Sequence, residues 1–237
     1  MKTIYLNSAD SYTPTTPHDC NWVFNLSSVD SYSKIALQNV VIPHLRYPVN
    51  SSTNKLVFQE NGFPTLITAV LNDGNYTGSS LASEIKRAME EVGTNTYAVS
   101  YNSTTQKLSI SVANPDQLKL HSSSTCQRVT GLDFDEVNFK YDIVGKYVVR
   151  LDGTQFLDVL LNIPTNNLNS SRRQIYSRIP MNISFGSVLT WTNPIQDWSP
   201  FMSKEIKSLE IRLLDDRGKP FILPDNAEVQ YTLKLEN

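Results

Sequence analysis

Cysteine and histidine, which supply most metal ligands and many catalytic groups, are scarce in this sequence. Its 237 residues include two cysteines, Cys20 and Cys126, and three histidines, His18, His44 and His121. One cysteine pair is not a disulfide framework for a chain of this length, so we expect two reduced thiols. No histidine has a Cys, Asp or Glu neighbour at a ligand spacing. The sequence therefore predicts no metal site and no cofactor.

Charged residues are also few, and neither sign dominates. They make up 19% of the chain, and the net charge is -2. The densest basic spot combines Arg172 and Arg173 with Arg178. Proteins that bind nucleic acid usually carry a longer basic stripe. We therefore expect no direct contact with nucleic acid.

Long apolar runs are missing as well. None approaches the length that a membrane span requires, and the start, residues 1–5, lacks the apolar segment of a secretion signal. We expect neither a membrane span nor secretion. Six Asn-x-Ser/Thr sequons occur in a chain rich in these three residue types. Without a secretion signal, we expect them to stay unmodified.

The common catalytic motifs do not occur either. The sequence has no Gly-x-Ser-x-Gly, no His-Glu-x-x-His and no phosphate-binding loop with its lysine. Residues 74–78, GNYTG, precede a predicted helix, but they lack that lysine and the glycine spacing. We interpret them as a turn that leads into the helix.

Two carboxylate clusters leave other chemistry open. Asp133, Asp135 and Glu136 could bind calcium, although their spacing is not diagnostic. A glycosidase needs two carboxylates that face each other across a sugar, which a sequence alone does not exclude. The pair at 215–216 is followed by Arg-Gly and has the setting of a turn between strands. We therefore predict a protein that is not an enzyme and has no catalytic residues.

The sequence is rich in stretches where apolar and polar residues alternate. The alternation, with short apolar runs, predicts strands at residues 22–26, 35–42, 56–58, 65–71, 97–101, 108–112, 118–120, 147–151, 156–163, 175–179, 181–189, 209–213, 221–223 and 229–235. Asn61-Gly62 marks one hairpin. Many short strands separated by polar turns are typical of a sandwich or barrel. We predict an all-β fold, an antiparallel β-sandwich.

One amphipathic helix, at about residues 79–92, interrupts the strands. Its apolar stripe, at a period of 3.6, consists of Leu81, Ile85, Ala88, Met89 and Val92. Ser79 or Ser80 can cap its start, and Gly93 suits the position after its end. The polar residues of its other side indicate a helix that lies against a sheet.

The chain shows no internal linker. No interior stretch has a linker's composition, and 237 residues are within the range of one large β-sandwich. We predict one domain over residues 20–237, preceded by an N-terminal arm or edge segment at residues 1–19. Within that segment, residues 4–6 could pair at a sheet edge.

Residues 191–202 combine two tryptophans and a phenylalanine with two prolines. Such a segment could fold over the end of the core, stack on sugars, or lie at a subunit interface, where aromatic residues are enriched. The candidate interface residues are Trp191, Trp198, Phe201, Ile4 and Tyr5.

Several segments, in their order along the chain, resemble a known family. They are IYLNSAD at 4–10, NWVFNL at 21–26, KIALQNVVIP at 34–43, DGNYT at 73–77, VSY and LSI at 99–101 and 108–110, and LEIRL and DRG at 209–213 and 216–218. This order looks like the single jelly-roll penton, or minor capsid, proteins of virophages, Polinton-like elements and related large double-stranded DNA viruses. Members with an added outer domain are longer, so we expect little room here for an elaborate receptor-binding insertion.

The resemblance implies a jelly roll and a structural role in a virion. Five copies would form a ring at each icosahedral vertex, in contact with major capsid proteins and other minor capsid proteins. Synthesis would take place in the host cytoplasm or a viral factory. An alternative function from another class is a carbohydrate- or receptor-binding β-sandwich of a spike or vertex complex, which the aromatic segment 191–202 supports.

Overall fold

The computed structural model describes residues 1–11, 20–26, 33–62, 64–135, 138–163, 174–194, 198–200, 208–224 and 227–236. The strands are β1 (Lys2–Asn7), β2 (Asn21–Asn25), β3 (Lys34–Pro43), β4 (Lys55–Glu60), β5 (Ile67–Val70), β6 (Tyr97–Asn102), β7 (Lys107–Val112), β8 (Leu118–Leu120), β9 (Asp142–Val144), β10 (Phe156–Leu161), β11 (Ser177–Pro180), β12 (Val188–Thr192), β13 (Ser199–Pro200), β14 (Ser208–Leu214) and β15 (Gln230–Glu236). The helices are a 3-10 turn (Ser8–Asp10), α1 (Gly78–Val92) and α2 (Gln127–Thr130). No helix in these ranges is both long and apolar enough to cross a membrane.

The chain forms two compact units. The first comprises Met1–Arg46 and Thr154–Asn237, and the second, Tyr47–Gly153, lies in sequence between those halves. The expectation of little room for an elaborate receptor-binding insertion stays a prediction, although the chain does carry an inserted unit. A unit inserted between two strands needs no flexible linker, so it leaves no trace in composition. The predicted division into residues 1–19 and 20–237 stays a prediction, and the contacts group the chain differently.

The first unit is a sandwich of two antiparallel sheets. One sheet has the order β1-β15-β3-β12, with β13 also paired to β3, and the other has the order β11-β10-β14-β2. Both sheets contribute to one core: Leu37 and Tyr231 come from the first sheet, and Leu157 and Ile211 from the second. Apolar residues at alternate positions supply these inward side chains, as strand geometry requires.

The strand order of the first unit is that of a jelly roll. The chain changes sheet at every step from β1 to β2 to β3, then runs through the hairpin β10–β11 and alternates again through β12, β14 and β15. Two antiparallel sheets whose eight main strands are connected in this way form a jelly roll. The predicted fold class, an antiparallel jelly-roll sandwich with one short amphipathic helix, is confirmed.

A β-bulge in β3 explains an irregular apolar spacing. Leu37 and Val40 are three residues apart, yet both are fully buried. Opposite them, Thr232 pairs with Asn39 and the next residue, Leu233, pairs with Leu37, so β3 holds an extra residue between the two pairs. The extra residue restores the inward direction of Val40.

The second unit has its own core, two three-stranded sheets and α1. The sheets have the orders β5-β4-β8 and β6-β7-β9. The turn Asn61-Gly62 is followed by β5, which pairs with β4, as the hairpin signal predicted. On α1, Leu81, Ile85 and Met89 are fully buried, whereas Val92 at its end is 43% exposed. The apolar stripe therefore packs on the core as predicted, except for its last member.

The caps of α1 differ from the predicted ones. Thr77 is the N-cap: its side chain accepts a hydrogen bond from the Ser80 N–H (3.2 Å), and Ser80 Oγ accepts one from the Thr77 N–H (2.9 Å). Ser80 is thus the reciprocal partner in a capping box. Gly93 has an extended backbone with φ of -88°. A glycine is required at position 93 because a Cβ there would lie 2.9 Å from Glu60 Oε1.

Replacing Thr77 by alanine should lower the free energy of unfolding by about 1 kcal/mol, because the Ser80 N–H loses its acceptor. Urea denaturation measures this change. Ser83→Ala, an exposed substitution inside the same helix, is the matched control and should change stability by less than about 0.5 kcal/mol. Equal losses for both variants would refute the capping role.

Some predicted strands are displaced or missing. Those predicted at 175–179 and 181–189 lie further along the chain, as β11 and β12, and residues 221–223 form no strand. Residues 147–151 form none because their N–H groups donate to two separate segments rather than to one neighbouring strand. The acceptors are the carbonyls of Gly131, Gln106 and Val129.

Candidate assembly surface

Two rows of side chains cross the outer face of the β1-β15-β3-β12 sheet. They are set by the register of the four strands, because each row joins residues that lie directly opposite one another. The first row consists of Tyr5, Thr232, Asn39 and Thr192, and the second of Asn7, Gln230, Val41 and Thr190. We call these eight residues the outer rows.

The outer rows contain no charged side chain. Asn39 Nδ2 donates to Thr192 Oγ1 (3.2 Å), which ties two neighbouring strands together on this face. Tyr5, at the β1 end, is 79% exposed. Interface cores are depleted in charged residues and enriched in tyrosine, so the composition of the outer rows suits contact with another protein surface.

The outer face of the other sheet has a different chemistry. Asp158 accepts two hydrogen bonds from Arg178, at 2.8 and 3.1 Å, and the guanidinium carbon of Arg178 lies 3.9 Å from the centroid of the Phe156 ring. The hydrogen bond to Asp158 raises the pKa of Arg178. These charges satisfy one another within the unit. The outer rows carry no charge of their own, although Lys234 continues the same face of β15 and Asn7 donates to Glu228 (2.8 Å). They are therefore the better candidate for an assembly surface.

Open sheet edges lie beside the outer rows. In the part of the chain that the structure describes, no strand pairs with the free side of β1 or of β12. On the other sheet, Ser11 Oγ accepts from the Val23 N–H (3.0 Å) and donates to the Val23 carbonyl (3.3 Å), which covers the edge of β2. An open edge can accept a strand from another chain.

The structure places the five predicted interface residues in different surroundings. Only Tyr5 belongs to the outer rows. Ile4 and Trp191 point inward and pack against the core, and Trp198 is half-buried beside β13. Phe201 lies outside the described residues. An interface role for these five stays a prediction.

Sequence reasoning missed the other outer-row residues, although a signal for them existed. Trp191 lies two residues after the buried Leu189, so period two places its side chain inward and leaves Thr190 and Thr192 outward. The interface prediction for this segment rested on its aromatic residues rather than on its threonines.

Asp215, in the turn predicted at 215–218, is fully buried and holds a charge network. Its Oδ2 accepts from Arg46 Nη1 (2.9 Å) and Arg217 Nη2 (3.1 Å), and its Oδ1 from the N–H groups of Arg217 and Lys219, both at 2.9 Å. Burial alone would raise the pKa of Asp215, but these hydrogen bonds and the Arg46 charge lower it below the usual 3.8. Each oxygen already accepts at least two hydrogen bonds, so the carboxylate is structural.

In the Asp133 cluster, the carboxylate of Asp133 likewise already has a partner within the protein. Asp133 Oδ2 accepts from Lys146 Nζ (3.0 Å), and this bond lowers the pKa of Asp133. Glu136 lies outside the described residues. Within the described ranges, no three His, Cys, Asp or Glu residues lie close enough together to hold a metal ion.

The two cysteines are buried thiols that are not disulfide-bonded, one in each unit. Burial raises the pKa of Cys126 to about 12. A thiol that stays protonated at neutral pH is a poor nucleophile and a poor metal ligand. Cys126 is therefore a packing residue of the second core.

The fold is shared with a solved capsid protein. The chain matches the crystal structure of the selenomethionine-labelled mavirus penton protein over 100% of its own length and 99% of that chain, with a TM-score of 0.51 and 9% sequence identity. No protein-family model matches the sequence, and no curated protein matches it either. At 9% identity the similarity concerns the fold.

Proposed function

We propose that this chain is a structural capsid protein, the penton of an icosahedral virion, and has no enzymatic activity. One observation carries the proposal: a jelly roll that matches a penton protein from end to end. Five copies form a ring at each vertex and contact major capsid proteins and other minor capsid proteins around it. The protein is made in the host cytoplasm or a viral factory and resides in the virion.

A ring of identical copies sets a requirement on the surface. Its interface is heterologous, so two different patches of the same chain must be complementary. The outer rows offer one patch without charged side chains and with an exposed tyrosine, and the open edge of β1 adjoins it. We infer that the outer rows are one half of this interface. Partly open sheet edges beside it can add main-chain hydrogen bonds to the contact.

The penton proposal predicts a particle of five copies. Sedimentation velocity over the micromolar range should give a mass of about 134 kDa, five times 26.7 kDa. Thr190→Lys places a charge in the outer rows, where burial at an interface would cost several kcal/mol, and should weaken the ring at least about a hundredfold.

Thr65→Lys is the matched control for this experiment. It makes the same substitution at an exposed position of the second unit, so the ring should persist. A closed ring with another copy number, or a monomer up to about 100 μM, a concentration at which even weak specific contacts form, would contradict the proposal. Equal dissociation by both variants would remove the outer rows from the interface.

A further inference from the structure

The second unit contains an open cavity of about 640 Å³ with a basic lining. Four cations line it: Lys107, Arg128, Lys146 and Arg150. No carboxylate is among the described residues of its wall. A volume of this size is that of a small-molecule site, which can hold a few sugar units but not a folded partner. The cavity shares no residue with the outer rows, which belong to the first unit.

The wall of the cavity is held in place by backbone contacts. The N–H of Tyr147 donates to the Gly131 carbonyl (2.9 Å), and the N–H of Arg150 donates to the Val129 carbonyl (3.0 Å). Gly131 has φ of +68°, and a Cβ there would lie 2.7 Å from the Val148 carbonyl oxygen. Only glycine lets the two segments approach so closely. The cations are thus presented from a preformed wall, which lowers the entropic cost of binding.

Two of the cations are paired only at the surface. Lys146 bonds to Asp133 (3.0 Å) and Arg150 to Asp152 (2.9 Å), and all four side chains are partly exposed. Exposed ion pairs of this kind contribute about 0–1 kcal/mol each. An anionic ligand can therefore replace these two partners at little cost, while it gains the attraction of Lys146 and Arg150.

An aromatic ring lies beside the charges. Tyr147 is 56% exposed, and Lys146 Nζ lies 5.6 Å from the centroid of its ring. An exposed ring can stack on the C–H face of a sugar, and the neighbouring cations can bind sulfate or carboxylate groups. We propose that this cavity binds an acidic glycan, a chain of sulfated or carboxylated sugars.

This proposal is independent of the assembly role. It gives carbohydrate recognition, the alternative considered from the sequence, a site other than the segment 191–202. Nucleic acid fits the cavity less well, because the chain has a net charge of -2 and the cations form a compact group rather than a long stripe.

Calorimetry with the full chain tests the site. A heparin-derived hexasaccharide supplies sulfates, hexagalacturonate supplies carboxylates alone, and maltohexaose is the neutral probe. We expect binding of at least one acidic probe and none of maltohexaose. Lys107→Ala/Arg128→Ala removes two charge-assisted contacts and should weaken binding at least about tenfold. The control Lys86→Ala/Lys119→Ala removes two charges of the same unit outside the lining and should stay within about twofold.

Tyr147→Ala separates a glycan from other polyanions. This substitution should lower the affinity for the acidic glycan at least about fivefold, because the stacking surface is lost. Tyr147→Phe should keep the affinity, because the ring remains. Thermal unfolding checks that each variant folds. No binding of either acidic probe, equal losses in both double variants, or tighter binding of an oligothymidylate of the same charge would each overturn the proposal.

Discussion

Replacing Asp215 by alanine should lower the free energy of unfolding by about 3–5 kcal/mol, because Arg46 would keep a buried charge without its partner. Arg46 is 7% exposed and Asp215 is fully buried. Two N–H groups, of Arg217 and Lys219, would also lose their acceptor. Denaturant unfolding of purified protein measures the change.

Asp216→Ala is the control for this experiment, because Asp216 lies in the same turn and is more exposed. It should cost less than about 1 kcal/mol. In the double variant Arg46→Ala/Asp215→Ala, the loss should be smaller than the sum of the two single losses, since the charges are coupled. Additive losses would show that the ion pair contributes nothing.

The same network gives stability a defined acid dependence. The folded pKa of Asp215 lies below the usual 3.8, so its contribution is complete above that value and is lost as the pH falls through the folded pKa. Unfolding measured between about pH 5 and pH 2 should show a smaller acid loss for Asp215→Ala than for the parent chain. If the free energies of unfolding of the variant and the parent chain fell in parallel with pH, the lowered pKa of Asp215 would be contradicted.

Local patterning was enough to predict much of the fold. Apolar residues that recur at a period of two or 3.6 within a short stretch of sequence predict strands and helices. This pattern predicted the strands β3, β10, β14 and β15 and the helix α1. The strands β6 and β7 were predicted in the same way, and they pair with each other as neighbours in the sequence. Residues 147–151 donate hydrogen bonds to two distant segments, and such an arrangement leaves no periodic pattern in the local sequence.

Long-range strand pairing limited how much of the candidate assembly surface could be predicted from the sequence. The outer rows exist only because β1 pairs with β15 from the other end of the chain, a register that no local pattern contains. Asp215 was correctly placed in a turn, but its partner Arg46 is 169 residues away. The insertion of the second unit was missed for the same reason, since its boundaries resemble ordinary loops.

The corresponding anchor of the second unit is Glu60, which is fully buried. Its carboxylate accepts hydrogen bonds from the Thr94 hydroxyl (2.6 Å), the N–H groups of Thr94 (2.9 Å) and Asn95 (3.1 Å), and the Tyr97 hydroxyl. Burial alone would raise the pKa of Glu60, but these four donors lower it below the usual 4.5. Glu60 thus fixes the turn that joins α1 to β6.

Glu60→Ala should therefore lower the free energy of unfolding by about 4 kcal/mol, because four donors lose a buried acceptor that water cannot easily replace. Glu60→Gln should cost about 2–3 kcal/mol, since its amide keeps one acceptor oxygen but turns an NH₂ group towards the remaining donors. Glu90→Gln, exposed on α1, is the matched control and should change stability by less than about 0.5 kcal/mol. Equal stability of Glu60→Gln and the parent chain would mean that the charge of Glu60 is dispensable, because only a neutral site tolerates the amide without loss.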